Sequence, residues 1–312
     1  MILVAESQFA PQALAALDGL GDVEICTDAA AFAARIEAAE AVLVALEIPL
    51  TPQLMARAER LRVIATRTSQ LRHLDVAEAE RRGIAVLSIA ADAPALQATN
   101  STAEEAIAML LALVRNVPWA FDALKDGRWE RGRYGGRELA GKTIGLVGYG
   151  RLGRKTAAYA RAFGMRVLAT DPNVDINGDA EARPLSELLA ESDIVSLHCT
   201  WSEETRGLIG ATELASMKQG AYLVNTARGE ITDEAALLEA LESGHLAGAA
   251  IDTLADETAD GSHLRDNPLV DYARTHENLI VLPHLGGATV EATERTQVYI
   301  AEQLRDWLQA HA

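Results

Sequence analysis

The chain alternates short apolar runs with longer stretches that carry helix-boundary signals. Each run is rich in Val, Ile, Leu and Ala, a composition typical of strands buried on both faces of a parallel sheet. Because helical stretches separate the runs, we expect a complete small α/β domain in the first part of the chain. Its predicted strands are Ile2–Ala5, Val23–Cys26, Ala41–Leu46, Val63–Thr66 and Ile84–Leu87.

Several helix ends in this region have recognisable residues. Thr51 offers an N-cap before Pro52, a residue that suits the first helical turn. Asp75 and Glu78 have the spacing of a capping box, and Gly83 suits the position at which a helix ends. These signals predict that the strands are joined by helices.

A second series of apolar runs begins after Lys142, again with helical stretches between them. This succession predicts the doubly wound parallel sheet of dinucleotide-binding domains. Its predicted strands are Thr143–Val147, Arg166–Thr170, Asp193–Leu197, Ala221–Asn225, Ala247–Ile251 and Leu279–Leu282.

Two further helices flank the second series. Ser101 and Glu104 predict a capping box at the start of a long helix, and its apolar run Ile107–Val114 is too continuous for one exposed face. The stretch from Trp119 to Arg137 mixes aromatic residues, glycines and charges, which predicts an irregular arm. The amphipathic helix Val290–Leu308 is expected to return to the first domain.

The chain is therefore expected to cross twice between two domains. We predict a first domain of residues 1–98, completed by residues 286–312. The second domain comprises residues 99–285.

The strand Thr143–Val147 leads into a glycine-rich turn. Gly148, Gly150 and Gly153 have the G-x-G-x-x-G spacing, in which the first glycine makes a tight turn and the second admits a pyrophosphate close to the backbone. The third lets the following helix pack close to the strand, and the N-terminus of that helix favours phosphate. Alone the spacing is weak, because glycine-rich turns occur in many folds.

An acidic residue strengthens the dinucleotide interpretation. Asp171 ends the strand Arg166–Thr170, where a carboxylate accepts hydrogen bonds from the adenosine ribose. A carboxylate there also repels a 2′-phosphate, so NAD is favoured over NADP. The alternative is a turn aspartate before Pro172, but the order of strand, glycine turn, helix, strand and acid favours the NAD site.

Composition and charge narrow the class of protein. The formal net charge of −17 argues against nucleic acid and anionic membranes as partners. Cys26 and Cys199 lack metal-ligand spacing and predict free thiols in a reducing cytoplasm, with no metal site. The first residues lack the pattern of a signal peptide, and no apolar stretch is long enough for a membrane span. We therefore expect a cytoplasmic protein.

Polar residues follow three further predicted strands. Arg228 comes after Ala221–Asn225, Glu257 comes after Asp252, and His284 comes after Leu279–Leu282. Ligands of open α/β sheets bind beyond the carboxyl ends of the strands. An arginine can bind a substrate carboxylate in bidentate fashion, a histidine can exchange a proton with an alkoxide, and a carboxylate can hold that histidine. Singly each residue could be structural, but their joint placement predicts reduction of a 2-keto acid.

At these positions the chain resembles the D-isomer-specific 2-hydroxyacid dehydrogenases. The resemblance implies a central doubly wound NAD-binding domain, a split flavodoxin-like substrate domain, and a homodimer joined through the NAD-binding domains. It is carried by motifs that occur in order along the chain: Glu138–Thr143 before the glycine turn, Ser192–His198, Asn225–Gly229, Ala250–Asp252 with Glu257, and Pro283–Thr289.

The resemblance also implies roles for individual residues. Arg228, Glu257 and His284 match the catalytic residues of the family, and Asp252 matches the acid that contacts the nicotinamide amide. The substrate would contact Ser69, Gln70, Arg228 and His284. The residues expected to bind NAD are Gly148, Tyr149, Gly150, Arg151, Leu152, Gly153, Asp171, Pro172, His198, Cys199, Thr200, Thr205, Thr226, Ala227, Arg228, Asp252, His284, Gly286 and Gly287.

The predicted substrate is a small 2-keto or D-2-hydroxy acid. D-3-phosphoglycerate dehydrogenase is the main alternative, although Ala45 stands where those enzymes carry a phosphate-binding arginine; Arg67 or Arg72 could compensate. A non-catalytic, NAD-responsive protein similar to corepressors of this fold is a further alternative, which the presence of all three catalytic residues disfavours. Formate dehydrogenases pair their histidine with glutamine, and Glu257 argues against them.

Overall fold

A computed structural model describes residues 1–6, 8–45, 48–68, 71, 73–90, 93–258 and 260–311. The chain divides into two compact units, Met1–Thr99 with Thr289–Ala312, and Asn100–Ala288. The sequence predicted domain boundaries after residues 98 and 285, close to the boundaries between these units, which lie after residues 99 and 288.

The elements alternate along nearly the whole chain. In chain order the strands are β1 Ile2–Ala5, β2 Val23–Ile25, β3 Ala41–Val44, β4 Val63–Thr66, β5 Ala85–Ser88, β6 Thr143–Val147, β7 Arg166–Thr170, β8 Glu181–Ala182, β9 Ile194–Leu197, β10 Ala221–Asn225, β11 Leu246–Ile251 and β12 Leu279–Val281. The α-helices are α1 Pro11–Ala16, α2 Ala29–Arg35, α3 Pro52–Arg57, α4 Val76–Arg81, α5 Pro94–Gln97, α6 Ser101–Val114, α7 Val117–Lys125, α8 Arg151–Ala162, α9 Leu185–Glu191, α10 Ala211–Ser216, α11 Glu234–Glu242, α12 Pro268–Ala273 and α13 Val290–Ala310.

The first unit contains a parallel sheet with the strand order β2-β1-β3-β4-β5. This is the flavodoxin-like order. Every residue of β1, β3 and β4 is buried, because one layer of side chains packs around Phe32 and Met55 and the other around Leu17 and Leu304 of α13. The predicted return of the last helix to the first domain is thus observed within this unit.

The second unit contains a parallel sheet with the order β12-β11-β10-β9-β6-β7-β8. The strand order reverses at β6, whose neighbours are β7 and β9. The carboxyl ends of strands at such a reversal form the usual ligand crevice of open α/β sheets. Both sheets together confirm the predicted fold class.

Most predicted strands agree with the observed ones, and the differences are small. Four strands, β2, β9, β11 and β12, differ from the prediction by one residue at one end, and β5 is shifted by one residue at both ends. The strand from Ala41 ends at Val44, and the predicted end at Leu46 lies outside the described residues. The edge strand β8 was missed because Glu181–Ala182 is short and exposed and therefore has no apolar signal.

The predicted helix ends were confirmed at three positions, Thr51, Asp75 and Gly83. Thr51 Oγ1 accepts a hydrogen bond from the N–H of Leu54 at 3.3 Å. Asp75 Oδ1 accepts one from the N–H of Glu78 at 2.9 Å, and Gly83 has a φ of +68° just beyond α4.

Two helix predictions were wrong. Ser101 is the first residue of α6 and not its cap; Asn100 takes the cap position, and the Ser101 hydroxyl is buried without making the capping hydrogen bond. Part of the predicted irregular arm is the helix α7. Asn116, the residue before this helix, has a left-handed backbone conformation, and a proline lies in the first turn of the helix. On this helix Phe121 and Leu124 belong to an exposed apolar stripe, 61% and 54% exposed.

Among the described residues, no single helix combines the length and the apolar character needed to cross a membrane. One bent pair, Pro94–Val114 with Val117–Lys125, meets the requirement by length and composition only when its two parts are taken together.

A buried glutamine joins the two ends of the first unit. Gln297 of α13 is 1% exposed, and its Oε1 accepts a hydrogen bond from the N–H of Ala10 at 2.9 Å. Its Nε2 donates to a carboxylate oxygen of Glu6 and to the carbonyl of Gln8. The buried Glu6 carboxylate also pairs with Arg67, with Nε–Oε1 at 3.2 Å. Gln297 thus satisfies three polar groups of the segment after β1.

We expect Gln297→Met to lower the stability of the protein by about 3 kcal/mol, because it leaves buried polar groups unsatisfied at nearly constant side-chain volume. Scanning calorimetry of the wild type and the variant measures the effect as a lower Tm. Gln303→Met is the matched control, since Gln303 lies on the same helix and is exposed. Equal Tm values for Gln297→Met and Gln303→Met would contradict the assigned role.

Candidate active site

The glycine turn has the geometry that its spacing predicts. Gly148, which follows β6, has a φ of +98°, and a Cβ there would lie 2.5 Å from the backbone nitrogen of Cys199. A Cβ on Gly153 would lie 2.2 Å from the carbonyl oxygen of Gly148, so only glycine lets α8 pack this close to the strand. Gly150 has open space at its Cβ position and caps α8. The turn therefore combines tight packing with an exposed helix N-terminus, which fits a pyrophosphate.

Asp171 is held against the glycine turn. Its Oδ2 accepts a hydrogen bond from the N–H of Tyr149 at 2.8 Å, and its Oδ1 accepts one from the N–H of Asn173 at 2.9 Å. Two backbone donors thus orient the carboxylate at the carboxyl end of β7, the position predicted for a ribose contact. Pro172 follows it and is exposed.

His198 and Cys199, the two residues after β9, lie against the glycine turn and are both uncharged. His198 Nε2 lies 2.9 Å from Ser196 Oγ, and burial of the ring lowers the pKa of His198 to about 4. Burial raises the pKa of the Cys199 thiol to about 11. At neutral pH the imidazole is neutral and the thiol is protonated, so this side of the crevice adds no charge.

A short loop continues from Cys199. Thr205 Oγ1 accepts a hydrogen bond from the N–H of Ser202 at 2.7 Å and donates one to the carbonyl of Thr200 at 2.9 Å. Thr205 thereby closes the loop that bears the exposed Thr200.

The turn that carries Arg228 is built by the side chain of Asn225 at the end of β10. Asn225 Oδ1 accepts a hydrogen bond from the N–H of Ala227, and its Nδ2 donates one to the carbonyl of Arg228, both at 2.9 Å. The backbone next to it has no room for a side chain, because a Cβ on Gly229 would lie 2.1 Å from the carbonyl carbon of Leu254. The loops after β10 and β11 are therefore pressed together.

Glu257 and His284 are brought into contact by the loops after β11 and β12. Glu257 Oε2 lies 2.6 Å from His284 Nδ1, and its Oε1 accepts a hydrogen bond from the N–H of Leu254 at 3.0 Å. Burial alone would raise the pKa of Glu257, but the His284 hydrogen bond and charge, the Leu254 N–H and the charge of Arg228 lower it below its usual value. The pair is therefore a carboxylate that holds an imidazole by Nδ1.

The backbone of His284 is strained into position. Its φ is +56°, a left-handed conformation that is uncommon for residues other than glycine. Its N–H donates to the carbonyl of Asp252 at 2.8 Å, which ties the histidine to the end of β11. With Nδ1 engaged by Glu257, Nε2 is the ring nitrogen that can exchange a proton with a ligand.

Asp252 organises the segment that follows His284. It is 1% exposed, its Oδ1 accepts a hydrogen bond from the N–H of Leu285 at 2.7 Å, and its Oδ2 accepts one from the N–H of Gly286 at 2.9 Å. A second acid, Glu105 of α6, lies beside it. The sequence prediction missed Glu105. The available signal was its position four residues before the buried Met109, because an acid on the buried face of a helix needs a polar partner.

The geometry therefore brings together most of the predicted site residues at the carboxyl ends of β6, β7, β9, β10, β11 and β12. The predicted substrate residues Ser69 and Gln70 lie outside the described residues, as does Arg72. Ala45 is fully buried after β3. No group of three or more His, Cys, Asp or Glu among the described residues is arranged to hold a metal ion.

The second unit matches a known family. Residues 107–286 match the family described as "D-isomer specific 2-hydroxyacid dehydrogenase, NAD binding domain". The match covers the glycine turn, Asp171 and the three strand ends that carry Arg228, Glu257 and His284.

Similar proteins agree with this match. D-3-phosphoglycerate dehydrogenase of Methanocaldococcus jannaschii is 35% identical over 94% of this chain and 55% of its own length. The chain thus spans about half the length of the curated relatives that it matches.

Solved structures cover both chains almost completely. The TT0316 protein of Thermus thermophilus is 34% identical with a TM-score of 0.84, over 99% of this chain and 97% of that chain. D-lactate dehydrogenase of Aquifex aeolicus, solved with NAD and lactic acid, is 30% identical with a TM-score of 0.81, over 99% and 96%. With this agreement of fold, glycine turn and family match, the chain belongs to the D-isomer-specific 2-hydroxyacid dehydrogenases and carries their NAD-binding domain.

Proposed function

We propose that this protein interconverts a small 2-keto acid and its D-2-hydroxy acid with NAD as the cofactor. The observation that carries the proposal is the Glu257–His284 pair at 2.6 Å, with Arg228 on the neighbouring strand end. A proton donor and a carboxylate binder are the two groups that reduction of a 2-keto acid requires from the protein.

Arg228 is proposed to bind the substrate carboxylate. Its guanidinium can make two parallel hydrogen bonds to a carboxylate, which fixes the adjacent carbonyl in one orientation. The Asn225 hydrogen bonds and the tight approach at Gly229 hold the turn beneath it, so little backbone order remains to be acquired on binding.

His284 is proposed to move the proton. Its Nε2 gives a proton to the carbonyl oxygen during reduction and takes it back during oxidation. Glu257 holds the ring by Nδ1, which lies 2.6 Å from its Oε2, and so leaves Nε2 to exchange the proton.

NAD supplies or accepts the hydride when it is bound. The glycine turn and the N-terminus of α8 would hold its pyrophosphate, and Asp171 would hold its adenosine ribose. Asp252 would face the nicotinamide amide, with Gly286 next to it. Thr226 and Thr253, whose hydroxyls are buried without a hydrogen-bond partner among the described residues, fit a polar ligand near the same strand ends.

We expect Asp171→Asn to weaken NAD binding and to reduce the preference for NAD over NADP by roughly tenfold. The variant loses the charged acceptor for the ribose hydroxyls of NAD, and it also loses the negative charge that repels the 2′-phosphate of NADP. Asparagine keeps an acceptor for the Tyr149 N–H, so the turn should stay folded. Fluorescence titration with NADH and NADPH measures both affinities. An unchanged affinity ratio would rule out contact between Asp171 and the ribose.

Two observations bear on whether the substrate is phosphorylated. Curated relatives named D-3-phosphoglycerate dehydrogenase favour a phosphorylated substrate, whereas Ala45, at the position of the phosphate-binding arginine of those enzymes, favours an unphosphorylated one. NADH oxidation over a panel of 3-phosphohydroxypyruvate, hydroxypyruvate, glyoxylate and pyruvate separates these outcomes. A clear preference for 3-phosphohydroxypyruvate would overturn the small-acid proposal in favour of the phosphorylated one.

The same panel tests the remaining alternative, a non-catalytic NAD-responsive protein. Such a protein would bind NADH and oxidise it with none of the substrates. Retention of the arginine, glutamate and histidine in one site supports catalysis.

We further propose that the protein forms a homodimer through its NAD-binding unit. The exposed apolar stripe of α7, comprising Val117, Phe121 and Leu124, supports an interface because a water-exposed stripe of this kind favours burial. Light scattering coupled to gel filtration gives the mass, and a monomeric mass would overturn this proposal.

The free thiols of Cys26 and Cys199 support a reducing compartment such as the cytoplasm.

A further inference from the structure

Helix α6 presses one face against the loop that follows His284. Thr102 Oγ1 donates a hydrogen bond to the carbonyl of Gly286 at 2.9 Å. One turn further along, Glu105 reaches the same glycine: a Cβ on Gly286 would lie 2.9 Å from Glu105 Oε2 and 3.2 Å from Asp252 Oδ2. Two carboxyl groups therefore meet around one small residue beside the catalytic histidine.

The two carboxyl groups have different surroundings. Burial raises the pKa of Asp252, and the hydrogen bonds that it accepts from the N–H groups of Leu285 and Gly286 oppose this and favour its charged form. Glu105 Oε2 is buried, and no nitrogen or hydroxyl donor among the described residues reaches it. Two carboxylates in contact repel each other unless one of them carries a proton, which then forms a hydrogen bond between them. Glu105 is the member that holds the proton.

The charges around Glu105 agree with this assignment. Burial, the charge of Asp252 and a hydrogen bond to Asp252 raise the pKa of Glu105 to about 7, and the charge of His284 opposes them. On its own helix the adjacent acid, Glu104, is exposed, and on the neighbouring α8 Lys155 is bound to Asn100 with Nζ–Oδ1 at 2.6 Å. Asp252 and His284 are thus the ionisable groups that face it among the described residues.

We propose that Glu105 holds a proton against Asp252 and releases it to solvent when oxidised nicotinamide is bound beside Asp252, so that the carboxyl pair responds to the oxidation state of the cofactor. The inference rests on the proposed function, because that function places the nicotinamide next to Asp252. Glu105 is a positioning residue in this scheme, since it acts through Asp252 and not on the substrate.

The physical basis is the charge of a single ring. NAD⁺ and NADH have the same adenosine and pyrophosphate, but only the oxidised nicotinamide is positively charged. A positive ring beside the pair favours two ionised carboxylates, whereas a neutral ring favours one carboxylate and one carboxylic acid. The pKa of Glu105 should therefore fall when NAD⁺ binds. NAD⁺ affinity then rises with pH up to the pKa of the free protein, and NADH affinity does not.

The effect is measurable as an affinity ratio. A fall of one unit in the pKa of Glu105 corresponds to about a tenfold gain in NAD⁺ affinity across the transition. We expect the ratio of NAD⁺ to NADH affinity to rise by roughly that factor between about pH 5.5 and about pH 8.5. Near neutral pH the binding of NAD⁺ should release part of a proton.

The test uses the full chain without substrate. Titration calorimetry gives the affinities for NAD⁺ and NADH over this pH range, and runs in two buffers with different ionisation enthalpies give the number of protons released. Glu105→Gln is the main variant, because its amide can donate to Asp252 as the protonated acid does but cannot ionise. We expect it to bind both cofactors with an affinity ratio that is constant within about twofold and without proton release from this position. Glu104→Gln, which removes the adjacent exposed acid, should behave as the wild type.

Each outcome is decisive. If Glu105→Gln keeps the pH dependence and the proton release of the wild type, another group such as His284 titrates, and the proposal is wrong. If the wild type binds NAD⁺ without releasing protons, the proposal is wrong even when the variant fails to fold, since that measurement needs no variant. If the wild type binds neither cofactor, the proposed function fails as well, which distinguishes the two failures.

Discussion

Replacing His284 with alanine should lower kcat by about 10³-fold, within the range typical of losing a general acid–base group. The imidazole is the proposed proton carrier, and its Nδ1 contact with Glu257 at 2.6 Å is the interaction that orients it. NADH affinity should change little, because the phosphate and ribose contacts lie on other strand ends. Stopped-flow reduction of the preferred 2-keto acid measures the loss, and fluorescence titration measures NADH binding.

The backbone of His284 requires a second variant. Its φ of +56° is better tolerated by asparagine than by alanine, so His284→Asn separates loss of the proton carrier from local strain. Both variants should lose activity to a similar extent, and Glu257→Gln should lose less than either. Near-normal turnover in His284→Asn would show that another residue moves the proton.

Replacing Arg228 with lysine should reduce kcat/KM by about 10²-fold or more, because the ammonium group cannot form the bidentate pair with a carboxylate. The positive charge is retained, so the loss reports geometry and not charge alone. We expect a higher KM for the 2-keto acid together with a lower kcat, because a loosely held carboxylate misplaces the carbonyl next to it. Steady-state kinetics with saturating NADH gives both parameters.

Chemical rescue provides the control for Arg228. Arg228→Ala leaves space for a free guanidinium ion, and added guanidinium should restore part of the activity of that variant. It should have no such effect on His284→Ala, whose missing group is different. If Arg228→Lys keeps the wild-type KM and kcat, Arg228 does not bind the substrate carboxylate.

The sequence determined the fold class and the cofactor turn because both depend on local patterns. Uniformly apolar runs such as Val63–Thr66 have one stable environment, a sheet covered on both faces. Gly153 was interpretable for a similar reason, since the close approach that requires it, to the carbonyl oxygen of Gly148, is made within one strand–turn–helix unit. Gly148 is required locally by its positive φ, whereas its close approach to the backbone of Cys199 depends on the distant strand β9.

Local patterns failed where a neighbour decided the outcome. Ser101 and Glu104 had the spacing of a capping box, yet the helix begins one residue earlier than that spacing implies, and Ser101 is buried. The segment after Asn116 contains aromatic residues that suggested an arm, but proline in the first turn and apolar residues on one side form α7. The edge strand Glu181–Ala182 has no apolar signal and exists through pairing with β7.

The active site shows most clearly which features the sequence determines and which only the tertiary structure decides. From the sequence alone, Arg228, Glu257 and His284 could be assigned to the same edge of a sheet, because parallel strands bring their carboxyl ends together. Only the tertiary structure decided that Glu257 binds Nδ1 of His284, that Asn225 builds the turn beneath Arg228, and that Glu105 meets Asp252 around Gly286. The first and the last of these contacts join residues far apart in the chain, whereas the Asn225 turn is local. All three depend on distances of a few ångströms that no pattern of residues specifies.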